Sequence, residues 1–213
     1  RSIIESVGEE VEYTADDFIQ DEDNIVLVSR DGWVKRQREV RDLSTTRLRE
    51  GDAVLAALAG STRASVVFFT NFGVAYTARV TDIPATTGYG EPIQRFFKFR
   101  DGEKVMAAFS LDPRAIGEIE ADEGEVPKVH ALAVTSDGFS FRFGLGAFVE
   151  PSTRAGRRFA RPAEGAEVVG VSVVDGRETV IAVTEQARAM LCKVEEINFL
   201  SGPGKGVILI KIA

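Results

Sequence analysis

Short apolar runs recur along the chain, each closed by Ser or Thr and followed, after two residues, by a Gly that opens a second short strand. The phrase occupies residues 25–34, where Ser29 and Gly32 close it, and 66–76, with Thr70 and Gly73. It returns at 131–139, with Thr135 and Gly138, and at 180–188, where Ala187 stands in the Gly place after Thr184. Each copy predicts a β-hairpin: a nearly continuous apolar strand reads as buried on both faces, and Gly supplies the positive φ of a tight reversal. The Ser or Thr hydroxyl is placed to hydrogen-bond the turn backbone. Ala187 implies a turn that is either strained or of another type. Four copies in 213 residues mark a repeat protein, whose function belongs on a repeated surface rather than in one catalytic pocket.

Two further phrases fill the intervals. One is Gly, two small or polar residues, then Val and an apolar strand, at 51–56, 102–107 and 165–170. The other is Ser or Thr, two residues, then Gly, at Thr87-Gly90, Thr153-Gly156 and Ser201-Gly204. Hairpin, Gly-rich loop and following strands make a unit of about four strands, the size of a propeller blade. The turn positions 32, 73, 138 and 187 are spaced by 41, 65 and 49 residues, so the acidic stretch 116–128 reads as an insertion at a blade edge. Helical periodicity is nearly absent, with residues 1–12 the one candidate for a short helix. The last unit stops where its Gly-x-x-Val strand is due, so the expectation is truncation, or ring closure by a strand at 17–19. A start at Arg1 likewise suggests a piece of a longer protein.

Charge changes the picture only when it is located. The net charge of −7 argues against a nucleic-acid partner, yet residues 1–23 alone carry nine acids against Arg1, and residues 112–125 carry six against Arg114. Without them the remainder is +6. An acidic leader, 1–23, is therefore expected ahead of a body, 24–213, with a basic surface. Residues 30–49 hold seven cations against three acids, and Arg154, Arg157, Arg158 and Arg161 form a second cluster with no acid between 151 and 163. Both follow a hairpin phrase, on loops that a ring of blades places at its rim, where cations on successive blades can track a duplex backbone without reading bases. The plainer reading is solvated strand edges guarded by charge.

Catalytic chemistry finds little to work with. His130 is the single histidine and opens an apolar strand, which favours a structural role over a triad; Cys192, also single, reads as core and leaves no disulfide and no ordinary zinc site. Gly204-Lys205-Gly206 lies in a β context and matches no phosphate-cradling loop. No apolar run approaches the roughly 20 residues of a membrane helix, and a cytoplasmic setting is expected.

The residues Asp31-Gly32-Trp33-Val34-Lys35-Arg36, Leu48-Arg49-Glu50-Gly51-Asp52, Val66-Val67-Phe68-Phe69, Pro84-Ala85-Thr86-Thr87-Gly88-Tyr89-Gly90-Glu91-Pro92 and Ser201-Gly202-Pro203-Gly204-Lys205-Gly206 resemble the C-terminal domain of the A subunit of bacterial type IIA topoisomerases. The resemblance covers roughly 20–213. It implies an all-β fold, a propeller-like β-pinwheel of repeated four-stranded blades that exchange a strand, with a basic perimeter that binds and bends double-stranded DNA. Gyrase carries a box close to QRRGGKG after the first hairpin; residues 40–48 lack it, so the likeness is closer to topoisomerase IV, and tight chiral wrapping with negative supercoiling is not implied. The implied partners are DNA, an upstream breakage-reunion domain and an ATPase B subunit. ATP and magnesium act in that holoenzyme, and no cofactor is expected in this chain. Tyr13, Tyr76 and Tyr89 match no catalytic tyrosine. The expected DNA contacts are Lys35, Arg36, Arg38, Arg41, Arg79, Arg95, Arg154, Arg157, Arg158 and Lys205. The alternative is a propeller that binds protein through Phe72, Tyr89 and Phe148 as exposed anchors.

Overall fold

The four hairpin phrases fold as hairpins, and the computed structural model, which describes residues 19–212, shows how they are joined. Among the described residues fifteen strands follow in order. The first seven are β1 Asp23–Ser29, β2 Trp33–Gln37, β3 Val54–Ser61, β4 Ser65–Thr70, β5 Val74–Arg79, β6 Glu91–Pro92 and β7 Val105–Ser110. Then come β8 His130–Thr135, β9 Phe139–Phe143, β10 Arg157–Arg158, β11 Val168–Val174, β12 Thr179–Val183, β13 Ala189–Lys193, β14 Phe199–Leu200 and β15 Val207–Ile208. The candidate helix at 1–12 lies outside the described residues, and so does nearly all of the ring-closing strand at 17–19. Among the described residues no helix is long and apolar enough to cross a membrane.

The turn chemistry repeats as its sequence requires. Ser29 Oγ accepts the Trp33 N–H at 3.0 Å, and Thr70, Thr135 and Thr184 hydroxyls do the same for Val74, Phe139 and Arg188 at 3.4, 3.2 and 3.2 Å. Gly32, Gly73 and Gly138 all hold φ between +74° and +81°. Ala187 holds φ +59°, so the fourth turn keeps the left-handed geometry and bears the strain of a Cβ there.

Blades are not contiguous units, which corrects the simple reading of hairpin plus following strands. The Gly-x-x-Val strands do stay at home: β3 pairs β1, β7 pairs β4 and β11 pairs β8, all antiparallel. The Gly-rich segment after each later hairpin instead crosses to the preceding blade. Thus β6 pairs β2, β10 pairs β5, and β14 and β15 pair β9. The resulting sheets run β3-β1-β2-β6, β10-β5-β4-β7 and β11-β8-β9-β14, with β15 also on β9. β12 and β13 form a two-stranded sheet of their own.

Three glycines make the crossing possible. Gly90, Gly156 and Gly206 hold φ of +91°, +71° and +84°, and a Cβ on any of them would collide with the facing strand, at the Val34 carbonyl, the Val74 side chain and the Ser140 carbonyl respectively. By this criterion the equivalent of Gly90 and Gly156 is Gly206, not the Gly204 that the sequence phrase selects. The next residues bond alike: Ile93, Phe159 and Leu209 N–H groups donate to the turn carbonyls of Gly32, Gly73 and Gly138 at 2.8, 2.9 and 2.8 Å.

Two cores sit between blades. One joins Val26, Val34, Phe68, Tyr76 and Phe97 across the first two sheets. The other centres on Phe69, with Phe159 at 4.8 Å and Phe143 and Phe148 at 5.5 Å between ring centroids, across the second and third. β1, β4 and β8 are largely buried on both faces, as expected. β12 is not, since Ile181 and Val183 are 67% and 64% exposed; among the described residues its sheet has only β13 as a second strand. Cys192 is half-buried against the small cluster of Val174, Val194 and Ile197, and burial raises its thiol pKa. The inner strands β3 and β7 are pinned by Asp112, whose carboxylate accepts Ser61 N–H at 2.8 Å and the Arg114 guanidinium at 2.8 Å.

Two expectations follow. Gly156→Ala should cost about 2–4 kcal/mol of stability, combining left-handed strain with overpacking, whereas Gly51→Ala, at φ +79° in open space, should cost only the strain of about 1–2 kcal/mol; urea unfolding of both variants measures the gap. The Arg114 hydrogen bond foremost, then the Ser61 N–H, holds the Asp112 pKa down at about 2 against an ordinary 3.8. A depressed carboxyl contributes stability above its unfolded value and loses it as pH falls through the folded one, so this contribution should fade between about pH 4 and pH 2. Asp112→Asn should be less stable at pH 7 and should lose part of that acid-limb slope in unfolding measured against pH.

Candidate nucleic-acid interface

Strand exchange decides which cations reach the surface. Lys35 is equivalent to Tyr76 and Phe141 in the hairpin repeat, an inward position, and it is 2% exposed. Its ammonium donates to the carbonyls of Arg47 and Gly88 at 2.7 Å each, and burial, then the Arg47 charge, lowers its pKa. It is a core tie, which removes it from the expected rim. Arg36 is likewise a fastener: Nε donates to the Ile83 carbonyl at 2.8 Å and Nη1 to Asn24 Oδ1 at 3.2 Å. Arg142, its repeat equivalent, donates from Nε to the Ile197 carbonyl at 2.6 Å, and Thr77 donates to the Phe148 carbonyl at 2.8 Å. At this position each blade binds the turn that follows the next hairpin strand or its successor, so Arg36 belongs to the architecture.

The exposed cations divide by their partners. Arg38 pairs with Glu22 at 2.7 Å, Arg41 with Glu39 at 3.1 Å, Arg95 with Glu91 at 2.6 Å, and Lys205 with Asp137 at 3.5 Å. Lys205 Nζ also sits 3.8 Å from the Phe139 ring centroid. Arg79 ends β5 half-buried and engaged. Surface pairs of this kind are worth roughly 0–1 kcal/mol, so a phosphate can displace the carboxylate at little cost. Arg154, Arg157, Arg158 and Arg161 stand exposed with no carboxylate in ion-pair range among the described residues.

The fold gathers these cations across long sequence distances. The Arg154 carbonyl accepts Lys98 N–H at 2.7 Å, and its guanidinium reaches the Arg95 carbonyl at 3.4 Å. Arg157 and Arg158 are the donated strand β10, and Arg161 N–H donates to Gly204 O at 2.9 Å, beside Lys205. One band therefore runs from Arg95 and Lys98 through Arg154, Arg157 and Arg158 to Arg161 and Lys205. Sequence position hides Lys98, because only the blade exchange brings it to Arg154. The donated strands of the other two blades are Glu91–Pro92 on the first and Phe199–Leu200 with Val207–Ile208 on the third, so the paired arginines are a property of the second blade and not of every blade. Residues 38–49 form a second exposed basic segment, where Arg49 lies 4.8 Å from the Trp33 ring and Arg47 5.2 Å from that of Tyr89.

Beside Arg157 and Arg158 opens a mostly apolar cleft of about 170 Å³, floored by Phe143, Phe148 and Phe159 and bounded by Leu200 and Pro203. Of the anchors expected for a protein partner, Phe148 is 6% exposed and belongs to the core, which corrects that expectation; Phe72 is half-buried under Arg100, and Tyr89 is 45% exposed. His130 is buried, its Nδ1 2.9 Å from the Pro127 carbonyl, and burial lowers its pKa, which fits a structural role. No group of His, Cys and carboxylates among the described residues is arranged to hold a metal.

Comparison with known proteins places this arrangement. Residues 64–112, 130–175 and 178–213 match the family described as DNA gyrase C-terminal domain, beta-propeller. The match covers more than half of the chain, which belongs to that family. Residues 113–129, which contain the acidic stretch 116–128, fall between two of the matched segments. The DNA gyrase A subunit of Aminobacterium colombiense is 28% identical over 207 residues, 92% of this chain and 24% of the relative. That of Haloquadratum walsbyi is 23% identical over 210 residues, 93% of this chain and 24% of the relative. The chain thus spans about a quarter of the length of these curated relatives. Among solved structures it is similar to the C-terminal domain of DNA topoisomerase IV, with TM-score 0.76 and 22% identity over 90% of this chain and 58% of that one. It is also similar to the E. coli ParC C-terminal domain, with TM-score 0.72 and 25% identity over 90% and 72%. The fold is therefore the propeller-like pinwheel that the resemblance implied.

Lys35→Met should be tolerated only where the two carbonyls it leaves find other donors; an expected loss of about 1–3 kcal/mol in urea unfolding, with exposed-charge behaviour unchanged, checks its assignment to the core.

Proposed function

We propose that this chain is the DNA-binding and DNA-bending surface of a type IIA topoisomerase A subunit, holding a duplex for ATP-dependent strand passage carried out by the rest of the enzyme. The observation that supports it best is the band of exposed cations at Arg154, Arg157, Arg158 and Arg161, free of carboxylate partners among the described residues, within a chain whose net charge is −7. Local charge governs encounter with a polyanion, and along the sequence the excess of acids is confined to residues 1–23 and 112–125. Arg38, Arg41, Arg79, Arg95 and Lys205 extend the contact by exchanging their present partners for phosphate. The reading needs no base recognition, because phosphate contacts alone fix a protein's position on a duplex. An upstream breakage-reunion domain, together with an ATPase partner, supplies the ATP, magnesium and cleavage chemistry. Residues 40–48, without a QRRGGKG box, favour bending over chiral wrapping.

The test is duplex affinity against salt. The full chain should lose affinity linearly on a log–log plot, and charge removal at Arg154, Arg157 and Arg158 together should lower the slope by about 3 while leaving the thermal midpoint nearly unchanged. Binding that ignores salt, or that survives the triple change, would overturn the proposal.

A further inference from the structure

The cleft beside β10 joins three features that one kind of ligand uses together. Its floor is Phe143, Phe148 and Phe159, rings already set in the core around Phe69: Phe143 and Phe159 stack at 5.3 Å, and Phe148 meets Phe143 edge-on at 6.0 Å. Its volume of about 170 Å³ is close to the roughly 150 Å³ of an apolar cavity that takes one benzene ring. Arg157 and Arg158 also line it, with no carboxylate in ion-pair range among the described residues. From these two the cation band runs on toward Arg154 in one direction and toward Arg161 and Lys205 in the other.

We propose that the cleft holds the ring of an unpaired pyrimidine nucleotide, with its flanking phosphates on Arg157 and Arg158. The proposal rests on the duplex-binding reading above and names the form of DNA that this edge prefers: a duplex carrying a bulge, a flap or a gap.

A nucleic-acid strand repeats a ring and an anion at every step, and a ring-sized apolar floor within a row of cations answers both. An acidic peptide with one aromatic residue would answer the floor and two arginines, but not the rest of the band. Ring size selects pyrimidine over purine. The Ser201 hydroxyl is the one uncharged polar side chain on the lining, so the cleft has little with which to tell thymine from cytosine. Taking a base out of an intact helix costs about as much as one stacking contact returns. A fully paired duplex therefore gains nothing here, whereas a base already unpaired gains the whole contact. The three rings are buried and in place before a ligand arrives, so the floor costs nothing to organise.

Duplexes of one length and sequence test this on the full chain: intact, with a single-thymine bulge, and with the same bulge lacking its base. The thymine bulge should bind about tenfold tighter than either of the others, and an adenine bulge should gain less. Ala147→Phe, a change at an exposed residue on the rim, fills the cleft and should erase the gain while intact-duplex affinity and its salt slope stay unchanged. With iododeoxyuridine in the bulge or in a short oligothymidylate, irradiation should cross-link the base to Phe143, Phe148, Phe159 or Leu200. Equal affinity for the three duplexes, or cross-links that map elsewhere, would overturn the cleft site while salt-dependent duplex binding stands. Duplex binding that ignores salt, with the oligothymidylate still cross-linked at the cleft, would instead sink the duplex reading and keep the site. Cross-linking abolished by an acidic phenylalanine-containing peptide, with no gain from thymine, would reassign the cleft to a protein segment. Should Ala147→Phe unfold the chain, the base-free bulge and the cross-link map decide.

Discussion

Everything in this molecule rests on the close approach of a donated backbone to the outer strand of the preceding blade. At Gly90, Gly156 and Gly206 the crossing chain passes so near its neighbour that a single methyl group would strike the facing strand. Only glycine combines that contact with a positive φ. Once the crossing is made, two short strand residues and one N–H to a turn carbonyl close each outer edge. A two-residue strand contributes little by itself. Its value is topological, because the third unit must fold before the second is finished, and the second before the first. Cooperativity between blades is thus built into the backbone and does not depend on the cores alone.

That ordering explains which features are legible in the sequence and which are not. The hairpins are legible because their determinants are local: an apolar run, a hydroxyl, and a turn residue within four positions. The Gly-x-x-Val strands are legible for the same reason. Donated strands such as Glu91–Pro92 carry no periodicity, and their partners lie more than fifty residues upstream, so nothing in the local pattern assigns them to another blade. The third Gly-rich phrase aligns two residues early because Gly204 and Gly206 look alike as letters and differ only in the backbone they meet. Lys35 and Arg36 escape a sequence reading for a different reason. A charge count treats every cation as solvated, whereas the repeat register puts Lys35 at the level of Tyr76 and Phe141, and its amine is spent on two carbonyls.

The cationic surface is accordingly narrower than a ring of evenly spaced arginines. Its centre is one donated strand, β10, flanked by loops that arrive from residues 95–98 and 204–205. For a phosphate backbone of the kind proposed, the Debye length of about 8 Å at physiological salt limits help from cations farther along the surface. The acids that make the whole chain negative are displaced to the leader and to the segment that the family match steps over. That segment is not loosely hung: Ile119 is buried in the core around Phe69, and Val129 N–H bonds the Glu118 carbonyl at its base. The segment runs against the turn after β9, where a Cβ on Gly146 would meet the Glu120 side chain and the Ile119 carbonyl at 3.6 Å.

Stiffness favours β10 as the edge that would serve the proposed function. Arg157 and Arg158 pair with Ala75 and Val74, and the next residue, Phe159, packs its ring at 4.8 Å against Phe69 in the middle of the larger core. Backbone order is thus settled on folding, and a ligand that engages these side chains has only their rotamers to immobilise, about 0.5–1.5 kcal/mol each. Cations on the 38–49 segment have lighter backing: the turn at 43–45 buries no residue, and Arg47 and Arg49 are steadied by the Lys35 ammonium on the Arg47 carbonyl and by the Tyr89 and Trp33 rings. Equal charges on the two surfaces would then bind a polyanion unequally, with the preformed edge the stronger, and the arginine fork suits that edge better than lysine because its planar donors are pre-arranged for phosphate oxygens.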